Sequence, residues 1–344
     1  TGVNGPGSPR STGAPQGEGS PLAMDAETMR ALGYQAVDAL VERWTQLREG
    51  APWAGATRGE LDARELFSAG PPEDPLPPER VLEETVSEVL GVAARVDHPR
   101  FMAYIPSAPT WPSVVADLLA SGFNTFQGTW QGAAGPARIE LQVLEWFRDW
   151  LGMPGGSSGL FTSGGSMANA LAVVAAREAA LDRARKGASE GVRDADRDRA
   201  SDAARDPAEP DGSFRPCVLL SDQGHASLVR AARVAGIDPA GIRVLPSGDD
   251  LRLHPETVTR GVAEARAEGW TPILVAANAG ATNTGVVDPL AGLAEACRAA
   301  GVHFHVDAAY GGFAVLDPRG AQALEGIGEA DSVTLDPHKW LFQP

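Results

Sequence analysis

Two side chains near the carboxyl end of the chain set the chemical question: Asp307, in "HFHVDAAYGG", and Lys339, in "DSVTLDPHKWLFQP". Lysine is scarce. Lys186 and Lys339 are the two in 344 residues, and Arg carries nearly all the positive charge. A Lys between a His and a Trp is not placed for solubility. It is either a packed stem with a snorkelling head or a reactive amine of the kind that forms Schiff bases. Asp307 follows a run of strand length, where an unpaired carboxylate would be costly. It closes an ion pair, caps a helix, or holds a heterocyclic nitrogen protonated.

Three further signals are weaker alone. In "LFTSGGSMAN", Gly165 and Ser166 open a helix, leaving free N–H groups and a positive dipole end suited to a phosphate monoester. The ordinary reading of that stretch is a turn and a cap. His225, in "SDQGHASLVRAAR", sits at a strand-to-helix junction, as a satisfied polar residue or as a ring that stacks on a planar ligand. Thr282, in "NAGATNTGVVDPL", is a turn residue or a hydrogen-bond donor beside that ligand. An acid and a later Lys, each at a strand end, are together what pyridoxal phosphate requires.

The elements that must position these residues alternate. "CVLLS", "RVLP", "PILVAANAG", "VHFHVDAAY" and "SVTLDP" are runs of strand length. Between them lie helical patterns such as "AGLAEACRAAG", ended by Gly301. This alternation predicts an α/β fold with a mainly parallel sheet, whose active-site residues gather at the carboxyl ends of the strands. Upstream, "GPARIELQVLEWFRDWLGM" predicts an amphipathic helix stopped by Gly152 and Pro154, and a further helix is expected around 113–121. The spacing of Leu32, Ala36, Ala39, Leu40 and Trp44 predicts a helix in 25–50, and a Pro-rich passage links it to another around "VLEETVSEVLGVAA". The expected organisation is a disordered tail over 1–24, an N-terminal helical segment over 25–100 and a large domain over 101–344. Residues 182–213, charged and nearly free of large apolar side chains, read as a disordered insertion in that domain.

Composition narrows the classes. A net charge of −16 argues against a nucleic-acid partner. Two cysteines, Cys217 and Cys297, give neither a disulfide framework nor metal spacing, so no metal is expected and a cytoplasmic setting is the default. No apolar run has membrane-spanning length, and the N-terminus lacks the pattern of a signal peptide. No G-x-G-x-x-G follows an early strand, which weakens a nicotinamide-binding reading.

"HVDAAYGG" and "DPHKW", with "TSGGSMANALAVVAAR" and "NAGATNTGVVDPL" upstream, resemble the group II pyridoxal-phosphate-dependent amino acid decarboxylases. The aromatic-L-amino-acid, histidine and glutamate decarboxylases belong to that group. The resemblance runs from about residue 25 to the last residue, outside the charged insertion. It implies a fold type I, aminotransferase-like large domain and the cofactor pyridoxal 5'-phosphate. Lys339 would carry the cofactor, Asp307 would pair with its ring nitrogen, and His225 and Ala309 would pack on its two faces. Gly165, Ser166 and His338 would hold the phosphate, Thr282 would lie close to the ring, and Ser107 in "YIPSAPTWP" would line the substrate pocket. The implied partners are an L-amino acid, aromatic or related, and a second copy of the chain in an obligate homodimer. The implied reaction is decarboxylation to the amine and carbon dioxide. Its rivals are decarboxylation with oxidative deamination to an aldehyde, and a non-catalytic scaffold subunit. Two positions depart from the pattern. Asp336 replaces the Asn of animal relatives near the phosphate, so its carboxylate is expected to point elsewhere or to be bridged. Val96 stands where aromatic decarboxylases carry Trp. The group's small C-terminal domain and its mobile loop with a catalytic Tyr would lie beyond Pro344, so the chain reads as a fragment.

Overall fold

The computed structural model describes residues 23–53, 55–105, 107–191 and 214–344. All of the expected disordered tail except its last two residues lies outside them, as do residues 192–213 of the expected insertion. The chain divides into two compact units, one reaching Ala103 and the other spanning Tyr104–Pro344.

The first unit is helical. Helix α1 (Ala26–Thr45) is capped by Asp25, whose side chain accepts from the N–H groups of Glu27 and Thr28. α2 (Arg58–Asp62) starts on a reciprocal capping box between Thr57 and Glu60, and α3 (Glu65–Ser68) follows. α4 (Pro78–Glu84), with Pro at its first position, runs on through a π turn over Thr85–Val89 and a 3-10 turn over Leu90–Val92. None of these helices contains a buried residue. The expected inner face of α1 is only half covered: Leu32, Ala36, Ala39 and Trp44 are half-buried and Leu40 is exposed. A bidentate ion pair, Arg43 to Asp97 at 2.6 and 2.7 Å, ties α1 to the end of the unit. Burial pushes the Asp97 carboxyl up, but the Arg43 guanidinium more than offsets this and holds it below the usual carboxylate range.

The second unit opens with α5 (Trp111–Phe123) and α6 (Trp130–Leu151). α6 is broken at Ala133 (φ −153°) and carries Pro136 just beyond the break. It stops at Gly152, in the left-handed conformation at φ +66°, as the Gly152–Pro154 pattern predicts. Next comes α7 (Gly165–Gly191). This helix corrects the expectation for the insertion, because its last turns occupy the first ten residues of the stretch expected to be disordered. The reason is local: Ala, Arg, Lys and Glu all favour helix, and Arg185 pairs with Asp182 one turn away.

The remaining chain alternates: β1 (Pro216–Ser221), α8 (Ala226–Val234), β2 (Ile242–Leu245), α9 (Pro255–Ala267), β3 (Thr271–Asn278), α10 (Leu290–Ala300), β4 (His303–Asp307), α11 (Pro318–Ala323), β5 (Ser332–Thr334) and α12 (Pro337–Trp340). The five strands form one parallel sheet in the order β2-β1-β3-β4-β5. The two-residue period of a strand sorts its side chains into two cores. Leu219, Val275, Ala277, Phe304 and Val306 meet α9 and α10 on one face. Val218, Leu220, Leu274 and Ala276 meet Val173 and Ala176 of α7 and Leu228 and Ala231 of α8 on the other. With Phe304 and Val306 on the α10 face, His303, His305 and Asp307 fall on the α7 face.

Candidate active site

Because chain order reverses between β1 and β3, their carboxyl ends border a crevice of the kind where open α/β sheets bind ligands. Asn278, Asp307 and Thr334, the last residues of β3, β4 and β5, are in register there. A cavity of about 140 Å³ opens above them, and it brings together Gly165, Ser166, His225, Thr282, Asp307, Ala309 and Lys339. Seven residues singled out from sequence therefore share one space, though they come from five separate segments of chain.

Each wall has a local cause. Gly165 and Ser166 begin α7, where the first N–H groups have no acceptor within the helix. A Cβ on Gly165 would come within 3.3 Å of the Ala309 Cβ, so glycine is what lets the helix start approach the end of β4. His225 caps α8, its ring accepting from the N–H of Ser227. Thr282 lies on the turn after β3. That turn passes through Gly280 at φ +94°, where a side chain would meet Tyr310 and the Gly311 backbone at 3.1 Å. Lys339 sits on α12, whose Trp340 packs edge-on against Tyr310 with ring centroids 5.7 Å apart.

Asp307 is buried, and neutral donors hold it: the Asn169 amide donates to Oδ2 at 2.8 Å and the Ala309 N–H to Oδ1 at 3.2 Å. Among the described residues no protein cation pairs with this carboxylate. A buried anion facing a cavity in that state is matched to a ligand bearing a cationic N–H. An amine, a helix start and an unneutralised acid around one cavity are a donor set that fits pyridoxal phosphate.

Of the two alternatives expected for Asp336, the structure overturns the first and leaves the second, a bridged carboxylate, standing. Its carboxylate does not turn away but lines the cavity, with Oδ1 accepting from the His338 N–H to cap α12 and Oδ2 lying 3.8 Å from the Lys339 ammonium. The helix cap demands this orientation, and the Lys supplies the countercharge. Two other residues singled out from sequence are not among the cavity walls. His338 is exposed, with Nδ1 3.3 Å from the Gln343 carbonyl, and the Ser107 hydroxyl donates to the His338 carbonyl. Sequence reasoning passed over Asn169, Ser227, Asn278 and Tyr310, which also line the cavity. Asn169 had a readable signal: it lies three residues after Ser166, one helical turn along the same face.

Comparison with known proteins agrees with this geometry. The pyridoxal-dependent decarboxylase conserved domain matches residues 61–344. An aromatic-L-amino-acid decarboxylase of Bacillus atrophaeus is 37% identical over 323 residues, which is 94% of this chain and 61% of that protein. A phenylacetaldehyde synthase of Arabidopsis thaliana is 28% identical over 93% of this chain and 61% of its own length. The crystal structure of Oryza sativa TDC with PLP and tryptamine superposes with a TM-score of 0.79 at 30% identity, covering 94% of this chain and 66% of that one. The chain thus spans about three fifths of the length of the curated relatives it matches, and its fold is that of the fold type I enzymes. With a match over more than four fifths of its residues, the chain belongs to the pyridoxal-dependent decarboxylase family.

Proposed function

We propose that the whole protein decarboxylates an L-amino acid, aromatic or related, to the amine and carbon dioxide with pyridoxal phosphate. The observation that carries this reading is the shared cavity: Lys339 and Asp307, 32 positions apart, face one space at the carboxyl end of the sheet beside the start of α7. Bound there, pyridoxal phosphate supplies an aldehyde that captures amines and a ring that takes up an electron pair.

The residues divide the remaining work. Lys339 would hold the cofactor through its side-chain amine, which lines the cavity. Asp307 keeps a proton on the ring nitrogen, because its carboxylate is buried and has only neutral protein donors. The N–H groups of Gly165 and Ser166 bind the phosphate, with Thr282 beside them. His225 and Ala309, both walls of the cavity, would confine the ring and so limit the orientation of a substrate bound beside it. Asp336 balances the Lys339 ammonium until that amine is used. Ser107 would take the substrate-side role and His338 the phosphate-side role, the hydrogen bond from the Ser107 hydroxyl to the His338 backbone carbonyl joining their two segments.

The same reading extends to assembly and setting. Exposed apolar side chains on α1 and α5, among them Met29, Tyr34, Leu118, Leu119 and Phe123, favour a homodimer. Both cysteines are unpaired, the usual state in a reducing cytoplasm, and burial pushes Cys217 up to about 11 and Cys297 up to about 12. Among the described residues no helix is long and apolar enough to cross a membrane.

A panel of L-amino acids offered to the cofactor-loaded full-length protein tests the reaction, with carbon dioxide, amine, aldehyde and peroxide assayed together. Carbon dioxide with equimolar amine is expected. Aldehyde with peroxide would instead establish the oxidative rival, and a loaded protein that releases no carbon dioxide from any amino acid would leave the scaffold reading.

A further inference from the structure

Behind the cavity a chain of polar groups runs through α7, α8, β4 and β5. Asn169, Ser227 and His305 are 1%, 2% and 0% exposed, so each hydrogen bond they make is obligatory. The Asn169 amide nitrogen lies 2.8 Å from Asp307 Oδ2 and 3.0 Å from Ser227 Oγ, and its Oδ1 lies 3.1 Å from His305 Nε2. His305 Nδ1 is 2.9 Å from Ser332 Oγ, which is itself 2.8 Å from His303 Nε2. At the other end, Ser227 Oγ is 2.8 Å from His225 Nδ1, and the Ser227 N–H points at the same nitrogen at 3.3 Å.

These distances admit one consistent direction for the protons. Asp307 only accepts, so the NH₂ of Asn169 must face it; the flipped amide would set oxygen against oxygen at 2.8 Å. Asn169 Oδ1 then needs a donor, which puts the proton of His305 on Nε2 and leaves Nδ1 to accept from Ser332. The second N–H of Asn169 occupies a lone pair of Ser227 Oγ, whose own hydrogen turns to His225 Nδ1. Two donors converge on that ring nitrogen, so the His225 proton is on Nε2. Burial agrees, holding His305 down to about 4 and His303 below its ordinary value, so both rings are neutral near pH 7.

We propose that Asn169 is the positioning residue of this site: one carboxamide, oriented from behind by His305, holds the Asp307 carboxylate and, through Ser227, the tautomer of His225. The ring acid and the stacking ring are thereby set by a single group that sequence motifs did not point to. This inference rests on the decarboxylase reading for its consequence, but not for its geometry. The consequence is that His225 offers Nε2–H as a donor to an anionic group while Asp307 stays oriented toward a cationic one.

Neutron diffraction from deuterium-exchanged crystals of the full-length, cofactor-free protein reads the tautomers directly. Deuterium is expected on Nε2 of both His225 and His305, with Nδ1 bare. Deuterium on Nδ1 of either ring would overturn the proposal. Asn169→Asp keeps the shape and the acceptor toward His305 but turns an acceptor toward Asp307. It should weaken pyridoxal phosphate binding by about tenfold or more, read by absorbance titration. His305→Gln, which can still donate to Asn169, should retain affinity that His305→Leu loses. Asn169→Asp binding as tightly as the unaltered protein would also overturn the proposal. If a variant fails to fold, the neutron result on the unaltered protein decides. A full-length protein that never takes up pyridoxal phosphate would sink the decarboxylase reading, and the tautomers would still stand or fall separately.

Discussion

The two units of the chain reach stability by different routes. In the second, the three central strands are buried along nearly their whole length: Val218, Leu219, Leu274, Val275 and Val306 are each 0% exposed. In the first, a 20-residue helix buries nothing fully, and capping and an ion pair carry the order that propensity alone would not. Burial on that scale lets the second unit pay for a charged carboxylate at a strand end. The first unit has no such reserve.

The contrast can be broken at several points. The largest effect belongs to the site: Lys339→Ala in the full-length protein should abolish the cofactor absorbance near the visible edge and lower kcat/KM by on the order of 10⁴-fold or more. A variant with an unchanged spectrum would remove the Schiff-base assignment. Leu274→Ala, at a position with no exposure, should lower unfolding free energy by about 2–5 kcal/mol in urea titration. Leu40→Ala in α1, where the side chain is 37% exposed, should change it by no more than about 0.5 kcal/mol in the monomer. Equal losses at the two positions would erase the distinction between the units.

Acid should separate them as well. His305 has a folded pKa near 4, below its ordinary 6.5, so the unfolded chain binds its proton first as pH falls. Stability in the second unit should drop between pH 6.5 and 4, with a slope of up to roughly 1.4 kcal/mol per pH unit, and His305→Gln should flatten that slope. Asp97 has the opposite sense, a carboxyl held below its ordinary 3.8. Its contribution is complete above 3.8 and is lost as pH falls through the lower folded value, so the first unit should yield later in an acid titration followed by hydrogen exchange. Asp97→Asn is expected to cost about 1–2 kcal/mol at pH 7, more than Leu40→Ala and less than Leu274→Ala. Arg43 is 41% exposed, and water recovers part of what the pair loses.

Much of the second unit was legible in its sequence because the signals were local. Strand-length apolar runs alternating with helical ones predict the parallel sheet, and Gly152 and Gly301 both take the left-handed conformation that ends a helix. The start of the charged stretch over 182–213 belongs to α7 against expectation, since low hydrophobicity says little about a helix that only has to continue one already begun. For Asp336 the alternative of pointing elsewhere fails, because repulsion from a phosphate says nothing of the helix cap that holds the carboxylate at the cavity.

By itself, the sequence determined which groups stand at the strand ends. The two-residue period of β4 sends Asp307 to the same face as His303 and His305, and the residues after β5 bring Lys339 back to the same edge. Only the tertiary structure decided what supports them. Asn169 reaches Asp307, Ser227 and His305 because α7 crosses that face of the sheet at a particular height and rotation. Side-chain direction across a packed interface is set by the fit of both surfaces, which no single segment encodes.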